Sequence, residues 1–172
     1  RVPTEFLTDA AGLGFLDSTA QGADLKRGAK VDLPLWLAAA VADRGWADIQ
    51  APKAYAHRFR TYLLADPAVI NLRERSINYY ETGLRLAAFV KDSRALVDTL
   101  VKTLSMRYRD ILDKSQNSRN EDLSHISSGM TELEQEIFFA GHAGATELFR
   151  FKRRECESLS APGKAAAATN KR

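Results

Sequence analysis

The sequence is poor in cysteine and has no long apolar run, and both absences exclude whole classes of protein. Its single cysteine, Cys156, cannot form an internal disulfide, which fits a reducing compartment, the cytosol or the nucleus. The longest apolar stretch, Leu35 to Ala42, is too short to cross a bilayer, so we expect no membrane span. The composition, 45% hydrophobic and 27% charged, is that of a folded globular protein.

A strong excess of one charge is also missing. The 25 basic and 22 acidic residues leave a formal net charge of +3, spread along the chain. A dedicated nucleic-acid binder usually shows a basic stripe interleaved with aromatic residues. The nearest candidate is Arg150, Lys152, Arg153 and Arg154, for which a solvated helix face is the ordinary interpretation. We therefore expect any contact with DNA to be indirect or weak.

Patterns typical of catalytic and metal sites are not found in the sequence. The histidines His57, His125 and His142 stand on separate segments without an HxxxH, HxxE or HxD pattern that would give a metal two ligands from one helix. Gly12-Leu13-Gly14 lacks the third glycine and the following helix that dinucleotide binding requires. We predict no catalytic, cofactor-binding or metal-binding residue, and therefore no enzyme.

Acidic residues towards the C-terminus do not change this conclusion. Glu132, Glu134 and Glu136 are predicted to fan around the polar side of a helix, exposed to solvent. The acidic neighbours of Cys156 oppose formation of a thiolate and so oppose nucleophilic chemistry.

Residues 1–50 predict a small strand-containing N-terminal domain, because glycines separate short apolar stretches. Thr4–Thr8 and Leu13–Leu16 are predicted strands, and Trp46–Gln50 is a possible last strand. Pro34 suits the first turn of a helix that ends near Gly45.

Trp36 lies in that predicted helix, and two interpretations of it stay open. A place in the core of the small domain is favoured, because a tryptophan in an apolar run is usually buried. A partner anchor is the alternative.

Residues 51–157 predict a helical assembly domain, beginning after the boundary at Pro52. The first predicted helix carries Tyr55, Phe59, Tyr62 and Leu63 on one face and stops before Asp66-Pro67. The second is predicted to be capped by Asn71, with Glu74 three residues on.

The third predicted helix begins near Asp92 and has a wide apolar stripe from Leu96 to Leu112. The fourth carries a narrow seam from Leu123 to Ile137, with Gly129 as a weak point. Between them, Ser115 to Asp122 favours helix capping and a tight joint over direct partner recognition.

Gly141 and Gly144 are expected to allow a bend before a last short helix. Residues 158–172 are expected to form a flexible tail. The predicted fold class is thus mainly α, a helical bundle preceded by a small strand-containing domain.

The two longest apolar stripes present more apolar surface than a bundle of this size needs internally, which favours a protein–protein interface. The residues predicted to form it are Leu100, Leu104, Tyr108, Leu112, Met130, Leu133, Ile137, Phe138 and Phe139.

Several separated motifs also occur in a recognisable order. They are Val31-Asp32-Leu33-Pro34-Leu35-Trp36-Leu37-Ala38, Pro52-Lys53-Ala54-Tyr55, Ala65-Asp66-Pro67 leading to Asn71-Leu72, and Ser115-Gln116-Asn117 with Asn120-Glu121-Asp122. In order and spacing they resemble the family of GINS subunit three, from about Gly12 to Arg153.

The resemblance implies a non-catalytic scaffold in a heterotetramer with three other GINS subunits. It also implies a larger assembly with the MCM ring and Cdc forty-five, the replicative helicase, and a place in the nucleus. No cofactor follows from it. The alternative is a stand-alone nucleic-acid-binding helical module, based on Arg150 to Arg154 and the basic end Lys171-Arg172.

Overall fold

The computed structural model describes residues 1–17, 22–118 and 121–155. Within these ranges it confirms a mainly helical chain with a small sheet near the N-terminus. Cys156 and the predicted tail at 158–172 lie outside the described residues.

The sheet contains three short antiparallel strands, β1 (Val2–Phe6), β2 (Lys30–Leu33) and β3 (Ala47–Ile49). Their order is β2-β1-β3, and Thr4 in the central strand pairs with Val31 on one side and Ile49 on the other. Buried and less buried residues alternate along β1, because successive side chains point to opposite faces of a sheet. One face of the sheet therefore supplies part of the core.

The expected strand at Leu13–Leu16 is wrong. Gly14–Leu16 form a single turn of 3-10 helix instead. Gly14 donates a backbone hydrogen bond to Ala23 at 2.9 Å, and a Cβ at Gly14 would lie 2.1 Å from the carbonyl oxygen of Gly22. This close approach of two backbone segments takes the place of the predicted strand.

Helix α1 (Leu35–Asp43) connects β2 and β3 and begins after Pro34, as predicted. The favoured interpretation of Trp36 as a core residue is wrong, because Trp36 is 74% exposed. Ala38 is the residue of α1 that is fully buried. Two residues along a helix correspond to a rotation of about 200°, so burying Ala38 turns Trp36 towards solvent.

The remaining helices are α2 (His57–Ala65), α3 (Tyr79–Ala87), α4 (Ser93–Asn117), α5 (Leu123–Ser127) and α6 (Glu132–Lys152). The end of α2 before Asp66-Pro67 and the start of α4 after Asp92 agree with the sequence prediction. The cap at Asn71 does not begin a helix. Asn71 Oδ1 accepts a hydrogen bond from the Glu74 amide at 3.4 Å, but within a turn, and α3 begins only at Tyr79.

The fourth predicted helix is two helices in the structure. Its seam is interrupted after Ser127, and α6 begins after Thr131, whose amide donates to the Glu134 carboxylate at 3.0 Å. This bond is half of a capping box, the Thr-x-x-Glu pattern that starts a helix. At the other side of the joint Asp122 caps α5 by accepting from the Ser124 amide at 3.0 Å, as the polar stretch predicted.

The expected bend at Gly141 and Gly144 is also wrong, since α6 continues to Lys152. Gly141 serves packing: a Cβ there would lie 2.5 Å from Ser115 Oγ on α4. The glycine thus permits two helices to approach closely without breaking either one.

The main core runs without interruption from the sheet into the helices. One cluster of buried apolar residues includes Phe6 and Ile49 of the sheet together with Leu63 of α2 and Leu100 of α4. A smaller cluster of Ile111, Met130 and Phe138 lies further along α4 and α6. The predicted boundary at Pro52 therefore marks a change of secondary structure and not a gap in the core.

Candidate assembly surface

A buried ion pair joins the two longest helices. Arg107 of α4 donates to Glu134 of α6 through Nε at 2.6 Å and through Nη2 at 3.1 Å, in a bidentate arrangement. The Glu134 side chain is fully buried, and that of Arg107 is 10% exposed. The prediction of a solvated Glu134 is therefore wrong, because Arg107, which is distant in sequence, supplies hydrogen-bond donors to the buried carboxylate.

Further hydrogen bonds complete this pair. Tyr80 donates its hydroxyl to Glu134 Oε1 at 2.8 Å, and Arg107 Nη1 donates to the carbonyls of Pro67 at 2.6 Å and Ile70 at 3.0 Å. Burial, and then the neighbouring Glu134 charge, raise the pKa of the Tyr80 phenol above its usual range. The network ties α3, α4, α6 and the turn after α2 into one arrangement.

Helices α4 and α6 run side by side in the same direction. Arg107 meets Glu134, and later in both helices Ser115 meets Gly141 and His142, whose Nδ1 lies 3.2 Å from the Ser115 carbonyl oxygen. Because α4 ends at Asn117, the last turns of α6 extend beyond it. The C-terminal end of α6 consequently has no α4 residue beside it.

Three of the predicted interface residues are buried in the structure, so their prediction as interface residues is wrong. Leu100, Met130 and Phe138 are 2%, 5% and 0% exposed and pack in the chain's own core. Leu100 and Phe138 lie on the sides of α4 and α6 that also carry Arg107 and Glu134, and those sides face inwards. Met130 lies in the segment just before α6.

The other six predicted residues keep some access to solvent. Tyr108 and Phe139 are 44% and 46% exposed. Leu104, Leu112, Leu133 and Ile137 are half-buried. Phe139 lies one residue after the buried Phe138 and so points to a different side of α6 from Ile137.

Helical spacing places half-buried and exposed apolar residues along one flank of α4 and one flank of α6. On α4 the spacing of three or four residues places Val101, Leu104, Tyr108 and Leu112 on a single flank. On α6 the same rule groups Leu133, Ile137, Leu148 and Phe151. The two flanks meet where Leu112 Cδ2 lies 3.8 Å from the Cβ position of Gly141. We name these eight residues the assembly surface.

Three members of the assembly surface were absent from the predicted set. Val101, Leu148 and Phe151 are 56%, 54% and 71% exposed. Helical spacing from Leu104 identifies Val101. Leu148 and Phe151 were missed because a bend at Gly141 and Gly144 would have removed them from the flank of Ile137.

The basic residues at the end of α6 are partly engaged within the chain. The Arg153 guanidinium lies 4.2 Å from the ring centre of Phe149, and its Nη1 lies 3.7 Å from Glu155. Arg154 adopts a positive φ of 56° and its amide donates to the Phe151 carbonyl, while Glu155 donates to that of Arg150. These two bonds close the helix as a Schellman motif.

The described parts of the chain contain no group of three or more histidine, cysteine or acidic residues arranged to hold a metal ion. Among the same residues, no helix has the length and apolar character needed to cross a membrane.

Comparison with known proteins agrees with this architecture. Residues 1–43 match the PSF3 N-terminal domain, and residues 54–150 match the GINS complex protein helical bundle domain. The DNA replication complex GINS protein PSF3 of Xenopus laevis is 34% identical over 152 residues, which cover 87% of this chain and 72% of the relative. The human protein of the same name is 32% identical over 167 residues, covering 93% and 77%. The probable PSF3 of Dictyostelium discoideum is 31% identical over 160 residues, covering 92% and 59%.

Proposed function

Because the chain belongs to the PSF3 family of GINS proteins, we propose that it is a GINS subunit in DNA replication that acts by assembly and not by catalysis. The GINS helical bundle match covers α4 and all but the last two residues of α6, the two helices that carry the assembly surface. The functional site of such a subunit is therefore a surface that contacts other subunits.

The observation that carries the proposal is the exposure of large apolar side chains on the assembly surface, outside the buried core clusters. Val101, Leu148 and Phe151 each expose more than half of the side chain. Large apolar side chains exposed together on neighbouring helices are typical of a protein–protein interface. Covering them with partner helices would remove them from water.

The partners we propose are the three other GINS subunits. The larger assembly would include the MCM ring and Cdc forty-five, and its place of action would be the nucleus. Contact with DNA would be indirect or weak, which fits the engagement of Arg153 within the chain. The family match does not support the alternative of a stand-alone nucleic-acid-binding module.

Co-expression of the full chain with the other three GINS subunits, followed by size-exclusion chromatography, tests this function. We expect a single complex containing all four chains. Tyr108→Asp should reduce incorporation, since it places a charge in the centre of the assembly surface. Met106→Asp is the matched control, because Met106 is 47% exposed on the opposite flank of α4. A soluble wild-type chain that stays apart from the other subunits would refute the proposal.

A further inference from the structure

A cleft opens beside α6, next to the point where α4 ends. It has a volume of about 500 Å³. Gln116 and Asn117, the last residues of α4, form one side. Gly144, Leu148 and Lys152 of α6 are among the residues that form the other. The cleft continues the assembly surface towards the C-terminal end of α6, because Leu148 belongs to both.

Gly144 leaves the floor of this cleft open. Among the described residues, a Cβ at Gly144 would have no neighbour within 4 Å, whereas one at Gly141 would meet Ser115 on α4. The packing of the described part of the chain therefore requires glycine at 141 but not at 144. Gly144 lowers the stability of α6 and is not needed for packing against α4. It leaves space for a side chain of another protein.

The walls of the cleft indicate the chemistry of its occupant. Leu148 is 54% exposed, so an apolar side chain inserted beside it would cover surface that the chain leaves in water. Lys152 is the charged residue of the described lining, and the other polar groups there are the amides of Gln116 and Asn117. The cleft therefore suits an apolar side chain flanked by a carboxylate.

We propose that this cleft receives one bulky apolar side chain from an amphipathic helix of another GINS subunit, with a carboxylate of that helix paired to Lys152. The inference rests on the proposed function and specifies one contact within it. Helices packed side by side insert side chains of one into holes of the other, and Gly144 provides such a hole.

The decisive variant is Gly144→Leu in the full chain, co-expressed with the three other GINS subunits. Leucine would fill the cleft, and we expect binding of this chain to the other three to weaken about tenfold or more. The melting temperature of the isolated variant should rise, because leucine is a better helix former than glycine. A more stable chain that binds less well separates loss of an interface from loss of folding.

Ala143→Leu is the matched control. It adds leucine at the neighbouring position, which is exposed and lies on another side of α6. We expect normal assembly of this variant. Equal assembly of the two leucine variants would overturn the inference. It would also be overturned if the isolated wild-type chain formed a dimer and Gly144→Leu abolished that dimer, since the occupant would then be a second copy of this chain.

A charge pair tests the carboxylate. Lys152→Glu should weaken assembly more at low salt than at high salt, because screening reduces the added repulsion. Arg150→Glu should have little effect, since Arg150 is exposed on another side of the helix. Equal effects of both reversals would overturn the pairing. Failure of the wild-type chain to assemble refutes the proposed function, whereas normal assembly of Gly144→Leu refutes only the occupied cleft.

Discussion

Replacement of Glu134 by alanine is the most informative perturbation of the fold. It removes the acceptor of four hydrogen bonds, two from Arg107, one from Tyr80 and one from the Thr131 amide. Arg107 keeps its bonds to the carbonyls of Pro67 and Ile70 but loses its counter-charge. A guanidinium without a partner anion then stays buried between α4 and α6.

The size of the effect follows from burial. The Arg107 side chain is only 10% exposed, so water cannot replace the lost carboxylate without local opening. Removal of one partner of a buried ion pair costs about 3–5 kcal/mol. For a chain of this size each kcal/mol lowers the melting temperature by about 2–4 °C, so Glu134→Ala should melt about 10 °C lower.

Urea unfolding of the full chain, followed by far-ultraviolet circular dichroism, measures this loss. Glu136→Ala is the control on the same helix, because Glu136 is exposed and should change stability by about 0.5 kcal/mol at most. A second comparison is the double variant Arg107→Met with Glu134→Leu. It should cost less than Glu134→Ala, because no charge is left buried.

Two outcomes would refute this reasoning. The first is a loss for Glu134→Ala of less than about 1 kcal/mol, indistinguishable from an exposed ion pair. The second is a double variant whose loss of stability equals the sum of the losses of Arg107→Met and Glu134→Leu, each measured alone. Either would mean that Arg107 and Glu134 are not energetically coupled in the folded chain.

Three further predictions concern pH, the end of α6 and two glycines. Burial raises the pKa of Tyr79 and Tyr80 above the usual value of about 10, so the folded chain holds protons that the unfolded chain releases. Stability should then fall by about 1.4 kcal/mol per pH unit for each phenol above pH 10, measured as the urea midpoint. Arg154→Gly should stabilise the chain by about 1 kcal/mol, because its φ of 56° is strained for any residue but glycine. Gly144→Ala should stabilise by about 1 kcal/mol, whereas Gly83→Ala should destabilise by about 1–3 kcal/mol, because its Cβ would lie 2.8 Å from Leu100 Cδ1.

Each of these has an internal check. A stability that stays level between pH 10 and 12 would contradict burial of the tyrosine hydroxyls. Arg153→Gly should destabilise, because Arg153 has a right-handed helical backbone, so equal gains at 153 and 154 would rule out the role of positive φ. An increase in stability for both Gly144→Ala and Gly83→Ala would contradict the close packing of Gly83.

The sequence by itself determined the class of fold and the lengths of its best helices. The apolar period from Leu96 to Leu112 predicted α4, and Asp66-Pro67 predicted the end of α2, since both signals are local. The Thr131-x-x-Glu134 pattern could also have predicted the start of α6, because a capping box needs only four residues. The family motifs likewise belong to the sequence.

Only the tertiary structure decided which side of each helix is covered. Helical spacing separates Leu100 from Val101 by about 100°, but the neighbours contributed by other elements determine that Leu100 is buried and Val101 exposed. Glu134 is the clearest case, because its partner Arg107 lies 27 residues away, and the capping box with Thr131 predicts where α6 begins but not that the carboxylate is buried. The burial of a carboxylate, the open space at Gly144 and the exposure of Trp36 all depend on contacts between distant segments, and such contacts exist only once the chain has folded.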